Sequence, residues 1–256
     1  MMLLLLVGCL ESLLEAPYIL TAGLAPVHDL TPAPDGNLFA ATEQGIVYID
    51  EAGVASTQDP FVASAIASHD VRLYALQDGT LHSTALPIVP NAWQTHPTPE
   101  GVVDIQTWCG ASVLLASAQG LHVWDAQAET LSTLSWGMPA EQVALDAHHP
   151  CTTLWVVSQG GVFRVEDQGH QQWLSGAEHI RDVATSQDGT VWIIAGQRPV
   201  LGRVVDGAVD IRARHLGAVH AMWFGEGGVW SPENVYLANA AGRVDYARVH
   251  SVSGTH

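Results

Sequence analysis

From residue 29 onward the chain repeats itself about every 40 residues, and a period of that length constrains the fold more than any other feature of the sequence. The clearest pair is Asp29-Leu30, four residues, then Asp35-Gly36-Asn37-Leu38-Phe39, against Asp182-Val183, four residues, then Asp188-Gly189-Thr190-Val191-Trp192. Looser copies start at Ala65-Ile66, Asp104-Ile105, Ala144-Leu145 and Ala221-Met222, giving six units at a nearly constant interval. Each unit reads as four short strands. The first carries the aligned Asp or Ala, and a turn follows that is Asp-Gly in two units, where a positive φ suits a tight hairpin. The second is a short apolar run such as Leu73-Tyr74-Ala75-Leu76, Leu154-Trp155-Val156-Val157 or Val191-Trp192-Ile193-Ile194, the pattern of a strand covered on both faces. The third opens after Gly (Gly45-Ile46, Gly120-Leu121, Gly161-Val162), and a weaker fourth leads into a polar connector.

A four-stranded sheet of this kind cannot cover its own faces and has to stack on its neighbours in a ring. The spacing therefore predicts an all-β fold, a six-bladed β-propeller of four-stranded blades. The sixth unit stops after its third strand, and residues 16–24 have no place in the first unit. They are expected to supply the missing outer strand of blade six, so that the last blade is closed by an N-terminal strand and the ring has no long free edge. The organisation follows: residues 1–9 a signal segment, 10–15 a short linker, 16–250 one propeller domain, 251–256 a polar tail.

The run from Asp29 to Ile46, Asp29-Leu30…Asp35-Gly36-Asn37-Leu38-Phe39-Ala40-Ala41-Thr42-Glu43-Gln44-Gly45-Ile46, resembles the repeat of two-component-regulator-type propellers, with NHL-like and WD40-like propellers more distant. The resemblance covers nearly all of the chain after residue 16. It implies architecture and little of function, because the repeated positions encode packing and such folds host sensors, scaffolds, lyases and lactonases.

Charge removes one class of partner. There are 26 acids against nine bases, all of them Arg, for a formal net charge of −17. Residues 1–128 hold 13 of the acids and only one Arg, Arg72. Such a field repels phosphate backbones and anionic lipid surfaces, so no nucleic acid is expected as a partner. The N-terminus, Met1 through Leu6-Val7-Gly8-Cys9, resembles the lipobox of bacterial lipoproteins. That likeness implies cleavage before Cys9, lipid on Cys9 and, with Leu10 next, an outer-membrane or periplasmic-face location; membrane contact would come only through that anchor. The apolar run is short and no Lys or Arg precedes it, two departures from the usual signal pattern, and both would follow from a start codon placed too far downstream. Cys109 and Cys151 are separated by close to one repeat period, which puts them in matching turns of adjacent units. In an oxidising compartment they can form a disulfide, although facing sheets about 10 Å apart are wider than the roughly 4.4–6.8 Å that bridged Cα atoms need, so bridged and unbridged forms both stay open.

Candidate chemistry gathers at one rim. His28, Arg181 and His220 each precede the aligned residue in blades one, five and six, which closure makes neighbours, and Asp29 and Asp182 sit beside them. Two imidazoles, a guanidinium and two carboxylates could bind a small anion, such as a carboxylate held more tightly as pH falls, or a metal. The same groups could instead hydrogen-bond between blades, and structural ion pairs commonly mimic sites. Gln44, Gln77, Gln119, Gln159 and Gln197 recur in the second-to-third turns, where turn chemistry explains them. Trp93, Trp136 and Trp173 recur near the ends of units, suited to blade packing or, if exposed, to stacking on sugars. His148-His149-Pro150-Cys151 with Cys109 fits no zinc spacing. No phosphate loop, nucleophile elbow or other cofactor motif is present, so no cofactor is expected. By resemblance to lactonase-type propellers, a calcium set would need Asn and Glu at the channel, and none of Asn37, Asn91, Asn234 and Asn239 falls on a first strand. The reading is a cell-envelope propeller that binds or scaffolds a protein, peptide or small ligand, and the competing one is a lactonase- or lyase-like enzyme at the His/Arg rim.

Overall fold

A computed structural model describes residues 18–69, 71–134, 136–166, 169–214, 216–225 and 234–248. The candidate lipidation site Cys9, the linker and the polar tail lie outside the described residues. The chain opens with β1 (Tyr18–Ala22). Blade one is β2 (Val27–Pro32), β3 (Leu38–Thr42), β4 (Gly45–Ile49) and β5 (Ala55–Asp59); blade two is β6 (Ala65–His69), β7 (Arg72–Gln77), β8 (Thr80–Ala85) and β9 (Gln94–Thr95). Blade three is β10 (Val102–Trp108), β11 (Ser112–Ser117), β12 (Gly120–Asp125) and β13 (Thr130–Thr133); blade four is β14 (Gln142–Leu145), β15 (Thr153–Ser158), β16 (Gly161–Glu166) and β17 (Gly169–Leu174). Blade five is β18 (Asp182–Thr185), β19 (Val191–Ala195), β20 (Val200–Val205) and β21 (Ala208–Ala213), and blade six has β22 (Val219–Phe224), β23 (Asn234–Asn239) and β24 (Arg243–Arg248). Each blade is an antiparallel meander, and β1 adds to blade six in the order β1-β24-β23-β22. The six-bladed, four-stranded architecture and its closure by the N-terminal strand are as the repeat predicts.

The period of two explains how the blades hold together. Along β3, Leu38 and Ala40 face one neighbour while Phe39 and Ala41 face the other, and all four are buried. The same split runs around the ring, so each apolar cluster belongs to one interface. Leu38 and Ala40 join Tyr236 and Ala238 of blade six, Phe39 and Ala41 join Leu73 and Ala75 of blade two, and Tyr74 and Leu76 join Val113 and Leu115 of blade three. Blades three and four, four and five, and five and six meet in three further clusters. The central residues of every second strand are buried because they are sandwiched on both faces, whereas β13 on the rim is exposed along its whole length. Gly45 opens β4 with φ 124°, and a Cβ there would lie 2.1 Å from the carbonyl oxygen of Asp59, so only Gly lets β4 and β5 approach this closely.

Two expectations needed revision or resolution. In five units the residue that opposes the penultimate position of the second strand is the aligned one: Asp29 on Ala41, Ala65 on Leu76, Asp104 on Ala116, Asp182 on Ile194 and Ala221 on Ala238. In blade four that position is Gln142, opposite Val157, so the true equivalent is two residues before Ala144. A shift of two keeps the same faces inside, which is why residue type alone misplaces it. The two cysteines form a disulfide with Cα atoms 5.4 Å apart. Both sit in hairpin turns that project past the ends of their sheets, where the separation of the sheet bodies, about 10 Å, no longer applies.

Candidate functional site: the central channel

The first strands of all six blades line a central channel of about 450 Å³. Where they enter it, β2, β10 and β22 each carry a bulge, between Val27 and Asp29, Val102 and Asp104, and Val219 and Ala221. A bulge leaves one residue without a pairing partner and re-aims its side chain. The residues so placed are His28, Val103 and His220. His28 and His220 thus come together across the joint between the two ends of the chain, their rings stacked at 6.2 Å between centroids and 19° between planes. His220 Nε2 donates to the carbonyl of Val27 at 2.6 Å, tying blade six to blade one. Burial first, then the neighbouring His220, lowers the His28 pKa, with Glu43 opposing them, which leaves His28 neutral at pH 7. Arg181 borders the same channel, and its Nη2 donates to the carbonyl of Gln197 at 3.2 Å.

One step further in, Asp29 and Asp182 are joined by a third carboxylate, Asp104. The three occupy the same register in blades one, three and five, and each makes the same pair of bonds. Its Oδ1 accepts from the backbone N–H of the next residue: Leu30, Ile105 and Val183, at 2.8 to 2.9 Å. Its Oδ2 accepts from the first strand of the following blade: Ile66, Val143 and Met222, at 2.6 to 2.8 Å. Blades two, four and six hold Ala65, Gln142 and Ala221 at that register and make no such bond. Carboxylate latches therefore close joints one–two, three–four and five–six, and the disulfide strengthens the middle one.

Both oxygens of each carboxylate accept an N–H, which favours the charged form. Burial, joined at Asp29 and Asp182 by the neighbouring carboxylates, acts the other way and prevails. Asp29 is raised to about 8, by burial and then by Asp104, and Asp104 is raised by burial to about 7. Asp182 is held well above the usual carboxylate range by burial, then Asp104, then Asp29. These carboxyls thus keep much of their proton occupancy near pH 7, and negative potential builds in the throat only as they ionise above it.

The sequence candidates divide clearly. His28, Asp29, Arg181, Asp182 and His220 all border one channel. Asp104 is visible in the repeat alignment yet absent from the candidates drawn from it; the signal that adds it is the alternation of Asp with another residue around the ring. The turn glutamines stay out of the channel lining, and their backbones serve turns, as when Gln44 and Gln119 donate to Thr42 and Ser117 hydroxyls. Trp93 stacks on Phe61 at 4.2 Å and Trp136 is buried, while Trp173 packs edge-on to Trp155 with 36% of its surface exposed. The cysteines near His148 are consumed in the disulfide, and His148 bonds the carbonyl of Gln187. Among the described residues no three His, Cys, Asp or Glu side chains gather to hold a metal ion.

No protein-family model and no curated protein sequence matches the chain. Solved structures do, at low identity. A gluconolactonase from Xanthomonas campestris superposes with a TM-score of 0.69 at 11% identity, over 94% of this chain and 93% of that one. A hydrazine synthase structure from Kuenenia stuttgartiensis gives 0.62 at 14%, covering 92% and 81%. The extracellular domain of a one-component system from B. thetaiotaomicron gives 0.61 at 12%, covering 88% of this chain, which spans a third of that protein's length. At such identities the likeness is one of fold alone.

Proposed function

We propose that this chain is an exported, non-catalytic binding propeller, anchored to the cell envelope through lipid on Cys9, whose central channel holds a small ligand by a cationic or multiply hydrogen-bonding group. The observation that carries the reading is the ring of three carboxylates at one depth of a channel of about 450 Å³. Each oxygen accepts one N–H and retains a second lone pair for a ligand donor. His28 and His220 offer imidazole edges above them, and Arg181 is engaged by Gln197. A cation gains from these carboxylates as they ionise toward pH 8, while an anion would have only Arg181 to offset them. The Cys109–Cys151 disulfide supports export, since such bonds persist in oxidising compartments. The fold is shared with the extracellular domain of a one-component system, which is in keeping with a role outside the cytoplasm. A protein or peptide partner on the channel face would enter by the same chemistry, through a Lys or Arg side chain.

Calorimetry with small alkylamines, polyols and carboxylates at pH 8 and 5.5 tests the ligand class. An alkylamine should bind at pH 8, lose at least tenfold in affinity at pH 5.5 as the carboxylates take up protons, and lose binding in Asp104→Asn. Binding of carboxylates alone, abolished by Arg181→Ala, would instead assign the rim to anions. For the anchor, protein expressed with a full upstream leader should fractionate with membranes and be released by Cys9→Ala. Wild-type protein without lipid mass on Cys9 would remove that part of the proposal.

A second reading is favoured by one feature, the stacked His28–His220 pair with His28 neutral. A neutral imidazole beside a second one can act as a general base in ester or lactone hydrolysis, and one neighbour in fold is a gluconolactonase. Turnover of a sugar lactone that falls at least a hundredfold in His28→Ala would establish it.

A further inference from the structure

Away from the channel, at the outer edge of blade two, a second cavity of about 210 Å³ lies between the end of β8 and the 86–94 segment. Arg72, Ser83, Thr84 and Gln94 border it, with Ala85, Val89 and Ala92 as its apolar side. Arg72 is the one Lys or Arg in the first half of the chain, and it is only partly exposed. Its single side-chain hydrogen bond among the described residues runs from Nη1 to Ser83 Oγ at 3.3 Å, and no described carboxylate pairs with it. A guanidinium has five N–H donors in a planar fork, so four remain for another acceptor. Ser83 is fully buried and its hydroxyl is fixed from the other side by His96 Nε2 at 2.7 Å, with the His96 ring packed on Trp124 at 5.0 Å. Thr84, the next residue along β8, is 2% exposed and its hydroxyl finds no partner among the described residues.

A protein with a net charge of −17 that keeps one cation half-covered, without a described counter-charge and beside buried hydroxyls, has built an anion cradle against its own field. From this geometry we infer that the blade-two cavity binds a short-chain aliphatic carboxylate, gripped bidentately by Arg72, with its alkyl tail against Ala85, Val89 and Ala92. Bidentate pairing is the arrangement in which guanidinium and carboxylate planes match. The size agrees, because 210 Å³ corresponds to about seven water volumes at ~30 Å³ each, room for a four- to six-carbon acid. The site is independent of the channel and of the function proposed for it.

Calorimetric titration of the full chain with sodium butyrate at pH 7, with inorganic phosphate in parallel, decides the matter. Butyrate should bind, phosphate should bind at least tenfold more weakly, and Arg72→Gln should weaken butyrate at least tenfold. Ala92→Trp, which fills the cavity from an exposed position and leaves Arg72 itself in place, should also abolish the heat and guards against a misfolded Arg72 variant. No heat with butyrate would overturn the assignment. So would phosphate binding as tightly as butyrate, or binding that survives Arg72→Gln and disappears with Arg181→Ala, which would place the carboxylate in the channel.

Discussion

Raising the pH from 5.5 to 7.5 should destabilise the ring, and the carboxylates of the throat should account for much of the loss. In the unfolded chain all three are ionised across this range, near their ordinary pKa. In the folded protein Asp29 and Asp104 hold their protons up to about 8 and about 7, so unfolding releases protons and stability falls as pH rises. With both shifts expressed in full the loss over these two pH units is about 4 kcal/mol, and with channel water halving them it is about 1 kcal/mol. For a domain of this size that is a fall in Tm of roughly 3 to 12 °C. The net charge of −17 adds its own pH-dependent repulsion, so the informative quantity is the difference between wild type and Asp104→Asn. At pH 5.5 the variant should be less stable by about 1 to 3 kcal/mol, because the amide nitrogen cannot accept the N–H of Ile105 or Val143. As pH rises that deficit should shrink, since the variant has lost one titrating group and also the charge that Asp29 and Asp182 repel. Differential scanning calorimetry of both proteins at half-unit intervals measures it. Parallel Tm–pH curves would refute the argument that these carboxylates are coupled.

Removing residues 18–24 should lower Tm by roughly 10 °C or more and promote aggregation, read by scattering during a thermal scan, because β24 would lose its edge partner and the Tyr18–Tyr246 stack. Reducing the disulfide, or Cys151→Ser, should cost about 2–4 kcal/mol in a urea titration, as expected for a loop closed across a sequence separation of 42. Gly45→Ala should destabilise by about 3 kcal/mol or more, given the 2.1 Å approach to Asp59, whereas Gly110→Ala, where a Cβ meets nothing within 4 Å, should cost about 1 kcal/mol for its positive φ alone.

What could be read in the sequence followed from packing periodicity. Runs such as Val191-Trp192-Ile193-Ile194 are apolar at consecutive positions because both faces of a second strand meet a neighbouring blade, and that pattern needs no knowledge of the partner. Residues 18–22 were legible by exclusion, as a strand with no sheet of its own. Blade four slips by two because Ala144-Leu145 looks more like Ala65-Ile66 than Gln142-Val143 does, while the hydrogen-bond register depends on where the second strand ends. The meeting of His28 with His220 requires closure of the whole ring, from blade one round to blade six, and the bulges that turn them inward have no residue signature in their own blades. Asp104 is the instructive omission. Its role lies in a bond shared with blade four, and only counting blades as odd and even reveals it.

A ring whose carboxylate latches fall at alternate joints has a natural place to be opened. Joints one–two, three–four and five–six are latched by carboxylates through the first strands, whereas the joint between blades two and three is held by the apolar cluster of Tyr74, Leu76, Val113 and Trp124. The connector there ends at Glu100 and Gly101, both exposed. A circular permutant that starts at Gly101, ends at Glu100 and links Arg248 to Tyr18 by a short turn would convert the closing strap into an ordinary hairpin, since Tyr18 already lies opposite Tyr246. Its new termini would fall between two-blade modules, leaving every latch inside a continuous stretch of chain. A cut between blades three and four would instead separate Asp104 from Val143 and Cys109 from Cys151 along the chain, so the position of the nick, rather than its mere presence, would determine whether the propeller reassembles.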